Sequence, residues 1–267
     1  AGSDELDQEG EMNIVGIIPG RMASTRFPGK PLAKIGGIPM IGHCYYRTRM
    51  SSVLNSTVVA TCDEEIRRYC GSIQAPCVMT KATHERATER VAEAVEILEK
   101  ENKKKIDVAV MVQEDEPMVA PELIDLSLKA LLNDPDVNVS CLMSPIASNE
   151  DALDPNLVKV VVDLNGNALY FSRERIPSLK KENHGMRFYR QLPIISFRRD
   201  YLLNFIRLEP TPLEKAESVD MMRVLEYGEH VRMVAVEDNS LSVDTPHDLE
   251  RATQAMKGDP LVACYGK

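Results

Sequence analysis

Ile17-Ile18-Pro19-Gly20-Arg21-Met22-Ala23-Ser24-Thr25-Arg26-Phe27-Pro28-Gly29-Lys30-Pro31-Leu32 is the stretch on which the fold turns. Ahead of it, Met12 to Ile18 is a short apolar run of the kind that forms a buried first strand. Gly and Pro then force an irregular loop and delay the helix. That loop carries three cations, Arg21, Arg26 and Lys30, with Ser24 and Thr25 between them. A loop at the carboxyl end of a first parallel strand is where doubly wound sheets bind nucleotides. Backbone N–H groups and clustered cations there suit a triphosphate.

The chain has 267 residues, 43% of them hydrophobic, which fits one large α/β domain or a domain with a sizeable insertion. No apolar run reaches the roughly 18 residues that span a bilayer. The polar, acidic start shows no signal peptide, and residues 1–11 are expected to be a loose tail. A net charge of −9 argues against nonspecific nucleic-acid binding, which relies on basic faces. The six cysteines show no C-x-x-C pair and no zinc spacing. Cys62, Cys70 and Cys77 recur at seven or eight residues, which invites a metal reading. Strand-end and core thiols in a reducing cytoplasm explain them better.

Strand and helix signals alternate through the first half: strands at 13–18, 56–61, 76–79 and 107–112, helices at 40–52, 64–72, 88–102 and 121–132. His43, Arg47 and Arg49 are expected on the polar side of the first helix. A strand at 137–144 is followed by a hairpin, 158–163 and 168–171, around Asn165-Gly166. Residues 173–186 are expected to form a polar loop. A strand at 191–198, a single helix at 212–227, a strand at 230–236 and a terminal helix at 245–256 complete the pattern, with 257–267 as a C-terminal tail. The fold class is α/β, a doubly wound, mostly parallel sheet over 12–256, with an inserted β-rich subdomain near 150–210.

Gln113-Glu114-Asp115-Glu116-Pro117 ends the apolar strand 107–112. Three carboxylates there repel one another unless a cation offsets them, and hard oxygen ligands suit Mg²⁺; a solvated acidic turn is the plainer alternative. Asp244-Thr245-Pro246 is a standard helix start, and Asp244 can equally supply a second Mg²⁺ ligand opposite Asp115. Thr88 and Arg90, in His84-Glu85-Arg86-Ala87-Thr88-Glu89-Arg90, can cap or cover a helix or hold a nucleotide. Arg173 closes Leu169-Tyr170-Phe171-Ser172-Arg173, where an arginine can pair with a substrate carboxylate or with a surface acid.

Together these segments resemble the 3-deoxy-manno-octulosonate cytidylyltransferase (CMP-Kdo synthetase) family, from about Met12 to about Arg251. The family's I-P-A-R-x-x-S-T-R-L-P-G-K-P-L appears as IPGRMASTRFPGKPL, and its Q-G-D-E-P as Gln113 to Pro117. Its N-P-N-x-V-K-V-V appears at Asp154 to Val161, its A-L-Y-F-S-R-x-x-I-P at Ala168 to Pro177, its P-S-P-L-E-x-x-E at Pro210 to Glu217, and its V-D-T-P-x-D-L-E at Val243 to Glu250. The resemblance implies a nucleotide-diphospho-sugar transferase type of sheet whose inserted subdomain pairs a homodimer. It implies a cytoplasmic enzyme of lipopolysaccharide biosynthesis that joins CTP to an acidic 2-keto sugar and releases pyrophosphate. Carried over residue by residue, Pro19, Gly20, Arg21, Ser24, Lys30, Thr88 and Arg90 would bind nucleotide, with Arg21, Lys30 and Asp115 catalytic. Asp115 and Asp244 would hold Mg²⁺, and Gln113, Arg173, Gln191, Glu214 and Glu217 would face the acceptor. Neither nucleic acid nor membrane is an expected partner.

The departures gather where specificity is expected: near the base or the sugar at 86–87, beside the metal ligand at 114, and on the sugar side at 191, 195 and 221. The family's Ser-Gly in H-x-S-G-T-E-R is Arg86-Ala87, its Gly in Q-G-D-E-P is Glu114, and its His and Tyr in H-I-G-I-Y-A-Y-R are Gln191 and Ile195. A Gln in its L-E-Q-L-R is Met221. Lost hydrogen-bonding partners weaken a site for a polyhydroxylated sugar, so a modified acceptor, such as an 8-amino or deoxy form, or another carboxylate or phosphonate, fits these changes. A metal-dependent glycosyltransferase using Glu114-Asp115-Glu116 is a second reading, which the cation-rich loop disfavours. A non-catalytic nucleotide-binding homologue is a third, which retention of Asp115 and Asp244 disfavours.

Overall fold

The computed structural model describes residues 12–24, 26–178 and 187–266. The expected tail at 1–11 and residues 179–186 of the expected polar loop lie outside them. The first half alternates strand and helix: β1 (Ile14–Gly20), a small hairpin of β2 (Lys34–Ile35) and β3 (Ile38–Pro39), α1 (Met40–Arg49), β4 (Ser56–Thr61), α2 (Glu64–Ser72), β5 (Cys77–Met79), α3 (Ala87–Asn102), β6 (Val108–Val112) and α4 (Pro121–Leu132). The second half runs β7 (Val139–Pro145), β8 (Lys159–Val162), β9 (Ala168–Ser172), β10 (Tyr189–Arg198), α5 (Arg199–Phe205), α6 (Pro212–Glu217), α7 (Met221–Glu226), β11 (Arg232–Ala235), α8 (Pro246–Ala255) and α9 (Pro260–Tyr265).

The central sheet has the order β11-β7-β10-β6-β1-β4-β5. β1 pairs in parallel with both β4 and β6, and β10 is antiparallel to its neighbours β6 and β7. The sheet is therefore mostly parallel, as its continuous apolar strands require. Alternation along each strand divides its side chains between two cores. Val15, Ile17, Ala109 and Met111 pack with Val91, Val95, Leu202 and Met222, beneath α3, α5 and α7. Ile14, Ile18, Val108, Val110 and Val112 pack with Ile41, Ile66 and Leu128 on the other face. Each such fully buried aliphatic side chain contributes about 1.5–3 kcal/mol.

β10 is the member that shapes the cleft. Its first residues pair with β8, as Tyr189 does with Val160, and its last ones with β6, as Ile194 does with Val112. Between them the register against β7 shifts, from Gln191 opposite Met143 to Ile195 opposite Cys141. Pro193, with no N–H to give to a ladder, sits in that irregularity, and its carbonyl accepts from Gln113 N–H at 3.3 Å. The hairpin β8–β9 turns at Gly166, φ 81°, with the Asp163 carboxylate accepting the N–H groups of Asn165 and Asn167 at 2.8 Å.

Two expectations are corrected. The helix expected over 212–227 is two helices, because Ser218 adopts the left-handed conformation at φ 52° and ends α6. His43 and Arg47 are not on a solvated face; both are buried. Two of their partners, Tyr265 of α9 and Asp259 just ahead of it, lie within the stretch expected as a tail. Burial first, with the Arg47 charge beside it, keeps the His43 pKa below its ordinary value despite the Ile35 bond. Its Nε2–H donates to the Ile35 carbonyl at 2.8 Å, which leaves Nδ1 to accept from the Tyr265 hydroxyl at 2.9 Å. Arg47 Nε donates to the same hydroxyl at 3.0 Å and Arg47 NH2 to Asp259 at 2.5 Å. Asp259 also caps α9 through Leu261 N–H at 2.8 Å.

Asp259→Ala strands a buried guanidinium and should cost about 3–5 kcal/mol in urea unfolding at neutral pH. Burial raises the Asp259 pKa, but Arg47 and the α9 N–H groups outweigh it and hold the carboxyl below the usual range. The folded form therefore contributes stability above the unfolded value of about 3.9 that is lost as pH falls through the depressed one. The gap between wild type and variant should close as the melts are taken below about pH 4; a gap independent of pH contradicts the pairing.

Candidate active site

The site grows from the carboxyl end of β1. A Cβ at Gly20 would lie 2.7 Å from Ile41 Cδ1, so α1 packs closely against the strand end there. The chain leaves as an exposed Arg21. Met22 N–H is fixed by the Asp63 carboxylate at 2.7 Å, and Ser24 Oγ accepts from Phe27 N–H at 3.2 Å. Gly29, at φ 75°, returns its N–H to the Met22 carbonyl at 3.1 Å. The loop is thereby closed on itself, and a 3-10 turn, Lys30–Leu32, brings Lys30 into the interior.

Lys30 Nζ lies 2.9 Å from Asp115 Oδ2, beyond β6, and 3.5 Å from Asp244 Oδ1, ahead of α8. Arg26 reaches the same Asp244 oxygen at 2.8 Å and Asn156 Oδ1 at 2.7 Å. Val243 N–H donates to the Asp115 carbonyl at 2.9 Å, so the two acidic segments are joined through backbone as well. Burial alone would lower the Lys30 pKa; the charges of Asp115, Glu114 and Asp244 and the Asp115 hydrogen bond outweigh it and hold the ammonium above the usual lysine range. Burial, then the Asp115 charge, pushes the Glu114 and Glu116 carboxyls well up. Glu116 accepts from the Ser242 hydroxyl.

Asp115 and Asp244, hard oxygen donors from separate segments that both reach the Lys30 ammonium, are the residues that would hold a divalent cation. Among the described residues no group of three or more His, Cys, Asp or Glu is placed to hold a metal. The remaining ligands must then be water or substrate oxygens, the pattern typical of Mg²⁺ at phosphate-binding sites.

Asp115 and Asp244 open into a cleft of about 610 Å³ that is also lined by Arg26, Gln113, Arg173 and Gln191. Pro19 and Gly20 are the buried end of β1, and neither they nor Arg21, Ser24 and Lys30 are among the residues lining it. The other expected contacts do not line it. Thr88 is buried and donates to Asp220, a lining residue. Arg90 is buried with NH1 on Thr80 and the Lys81 carbonyl, and its NH2 has no partner among the described residues. Glu214 is buried in a two-pronged pair with Arg223 at 2.6 and 2.7 Å. Glu217 accepts from Tyr170 and Ser172 hydroxyls and from Arg173 N–H at 2.9 Å. Arg173 Nε in turn donates to the Glu217 carbonyl at 2.8 Å.

Sequence reasoning missed Arg190. Its Nε donates to Ser144 Oγ at 3.0 Å and its NH2 to Asp238 and the Ser240 carbonyl, each at 3.1 Å. It straps the segment that leads to Asp244. The polar run Glu237-Asp238-Asn239-Ser240 after a strand was the available signal. Of the divergent positions, Gln191 and Ile195 line the cleft, Gln191 Nε2 lying 3.3 Å from Cys141 Sγ. Met221 is fully buried, and Arg86 reaches the cleft wall through Ser218 Oγ at 3.3 Å.

A family model described as cytidylyltransferase matches residues 15–231. A 3-deoxy-manno-octulosonate cytidylyltransferase of Pelobacter propionicus is 42% identical over 92% of this chain and 98% of its own length. The Arabidopsis thaliana protein of that name, described as mitochondrial, is also 42% identical, over 91% of this chain and 83% of its own. A solved structure of CMP:2-keto-3-deoxy-manno-octonic acid synthetase complexed with CTP superposes with a TM-score of 0.85 at 33% identity, covering 92% of this chain and 99% of that one. With the loop, the paired carboxylates and the cleft in the same chain, these likenesses settle its kinship: it belongs to the cytidylyltransferase family.

Proposed function

We propose that the chain is a Mg²⁺-dependent cytidylyltransferase that joins CTP to an acidic 2-keto sugar, 3-deoxy-manno-octulosonate or a modified form of it. The observation that carries this reading is the convergence of Lys30 and Arg26 on Asp115 and Asp244 at the head of the cleft. Kinship with proteins of that activity, one of them solved with CTP, supports it.

In this reaction the anomeric oxygen of the sugar attacks the α-phosphorus of CTP. The bond from that phosphorus to the bridging oxygen breaks, pyrophosphate leaves with the oxygen, and the hydroxyl proton passes to water. The protein must hold two anions in line and neutralise the charge that develops on the phosphate oxygens. Arg21, Arg26 and Lys30 supply positive charge along the loop, with Ser24 and loop N–H groups as further donors. Asp115 and Asp244 would hold Mg²⁺, which when bound adds charge neutralisation at the phosphate oxygens. Gln113, Gln191 and Arg173 offer donors to the acceptor in the lined part of the cleft. Thr88, Glu214 and Glu217 act as positioning residues: Thr88 holds Asp220, Glu214 holds Arg223, and Glu217 holds Arg173. A pair of chains would meet through the hairpin β8–β9, whose Leu164 and Leu169 are exposed.

Pyrophosphate should appear when the protein is mixed with CTP, Mg²⁺ and 3-deoxy-manno-octulosonate or its 8-amino analogue, and should not with UTP. Silence with every acidic keto sugar would overturn the reading. Asp115→Asn should cut kcat by about 100-fold or more and also lower the melting temperature, because it removes the nearer of the two carboxylates that match the buried Lys30 charge. Glu214→Ala should act through stability, costing about 3–5 kcal/mol by stranding the buried Arg223, read by thermal unfolding.

A further inference from the structure

We propose that the Lys30 ammonium is the resident counter-ion of the two-carboxylate site, so that metal and nucleotide bind together rather than in sequence. The inference rests on the metal reading given above. Lys30 Nζ stands between Asp115 and Asp244 at 2.9 and 3.5 Å, and its side chain is only 7% exposed. A divalent ion arriving alone would have to share those carboxylates with a cation already in contact with both. Like charges at such a separation, inside the protein and poorly screened by solvent, disfavour that state strongly.

A triphosphate changes the balance. It offers the ammonium new anionic acceptors, and the four-carbon lysine stem allows Nζ to leave the carboxylates without moving the loop. Both carboxylates are then free for the metal, whose remaining ligands the same phosphates supply. Arg26 is the exposed counterpart: its guanidinium bridges Asp244 and Asn156 across the mouth of the cleft, and it can follow the phosphates too. Because coupling between two bound species is reciprocal, the factor by which CTP tightens the metal is the factor by which the metal tightens CTP.

Mn²⁺ serves as the probe, read by electron paramagnetic resonance on the full chain, with Mn²⁺–CTP association in solution subtracted. CTP should raise the wild-type affinity for Mn²⁺ at least ten-fold. In Lys30→Met, Mn²⁺ without nucleotide should bind at least ten-fold tighter than in wild type, while CTP with Mg²⁺ should bind at least ten-fold weaker by calorimetry. A variant that is merely damaged weakens both, so opposite signs identify displacement. Arg26→Met, which leaves the ammonium in place, should shift the Mn²⁺ affinity less than Lys30→Met does. Equal Mn²⁺ affinity of wild type with and without CTP overturns the proposal, whether or not Lys30→Met folds. So does a Lys30→Met protein that binds Mn²⁺ no better than wild type. If pyrophosphate release persists in either case, cytidylyl transfer stands without it; absence of Mn²⁺ binding even with CTP overturns the metal reading and this proposal together.

Discussion

One ammonium ties the site to the fold. Lys30 comes from the loop after β1, Asp115 from the end of β6 and Asp244 from the approach to α8, so segments more than 200 residues apart in sequence meet at a single nitrogen. Burying a lysine is costly unless its charge is matched, and here two carboxylates match it. The same contact explains how acidic residues can crowd the end of β6. Lys30 pairs the Asp115 charge, while burial and then that same Asp115 charge push Glu114 and Glu116 toward their neutral forms, so the three carboxyls need not all be charged in one poorly solvated turn.

Around that contact the rest of the structure serves as support. The Asp244 segment is held by backbone from Val243 to Asp115, by Ser242 on Glu116 and by Arg190 on Asp238 and Ser240. Below it a third apolar cluster joins Phe27 of the loop, Met118 beyond β6 and Val243 to Met256 and Val262 of the C-terminal region. The loop, the acidic turn and the C-terminal segment thus share one small core. The buried chain Arg47–Tyr265–His43 and the Arg47–Asp259 pair anchor α9 against α1. Damage there should reach the site through this shared core.

The parallel strands were legible because both faces of each are covered, which demands continuous apolar runs such as Val108 to Val112. The expected bounds of β4, α2 and α4 agree with the structure for the same local reason, clear periodicity between turn signals. What escaped was tertiary. The break at Ser218 requires a left-handed residue that serine does not announce, and α9 is a six-residue helix held by a buried arginine from α1. His43 and Arg47 looked like a solvated face because polarity signals exposure only where no partner exists. In the site, the loop cations and Asp115 were legible from charge placed at strand ends. Arg190 was not, because the polar run 237–240 that it holds does not say which cation will reach it.

The carried-over acceptor residues teach a further distinction. A motif identifies residues that a family keeps, and a residue can be kept for what it holds. Glu217 is engaged by Tyr170, Ser172 and Arg173, and Arg173 spends its Nε and NH2 on the Glu217 and Ser218 carbonyls and its NH1 on the Pro155 carbonyl. Lys159, fully buried, gives its N–H groups to the carbonyls of Asp154, Leu157 and Arg173. These bonds knit the Asp154–Leu157 turn, the end of β9 and the break after α6 into one cleft wall. In the proposed reaction the acceptor would meet that wall. Gln191 and Ile195 on β10 line the cleft and take no part in those bonds. Two of the chain's departures from its family fall there, while Glu217, Arg173 and Lys159, which hold the wall, are retained within the family's motifs.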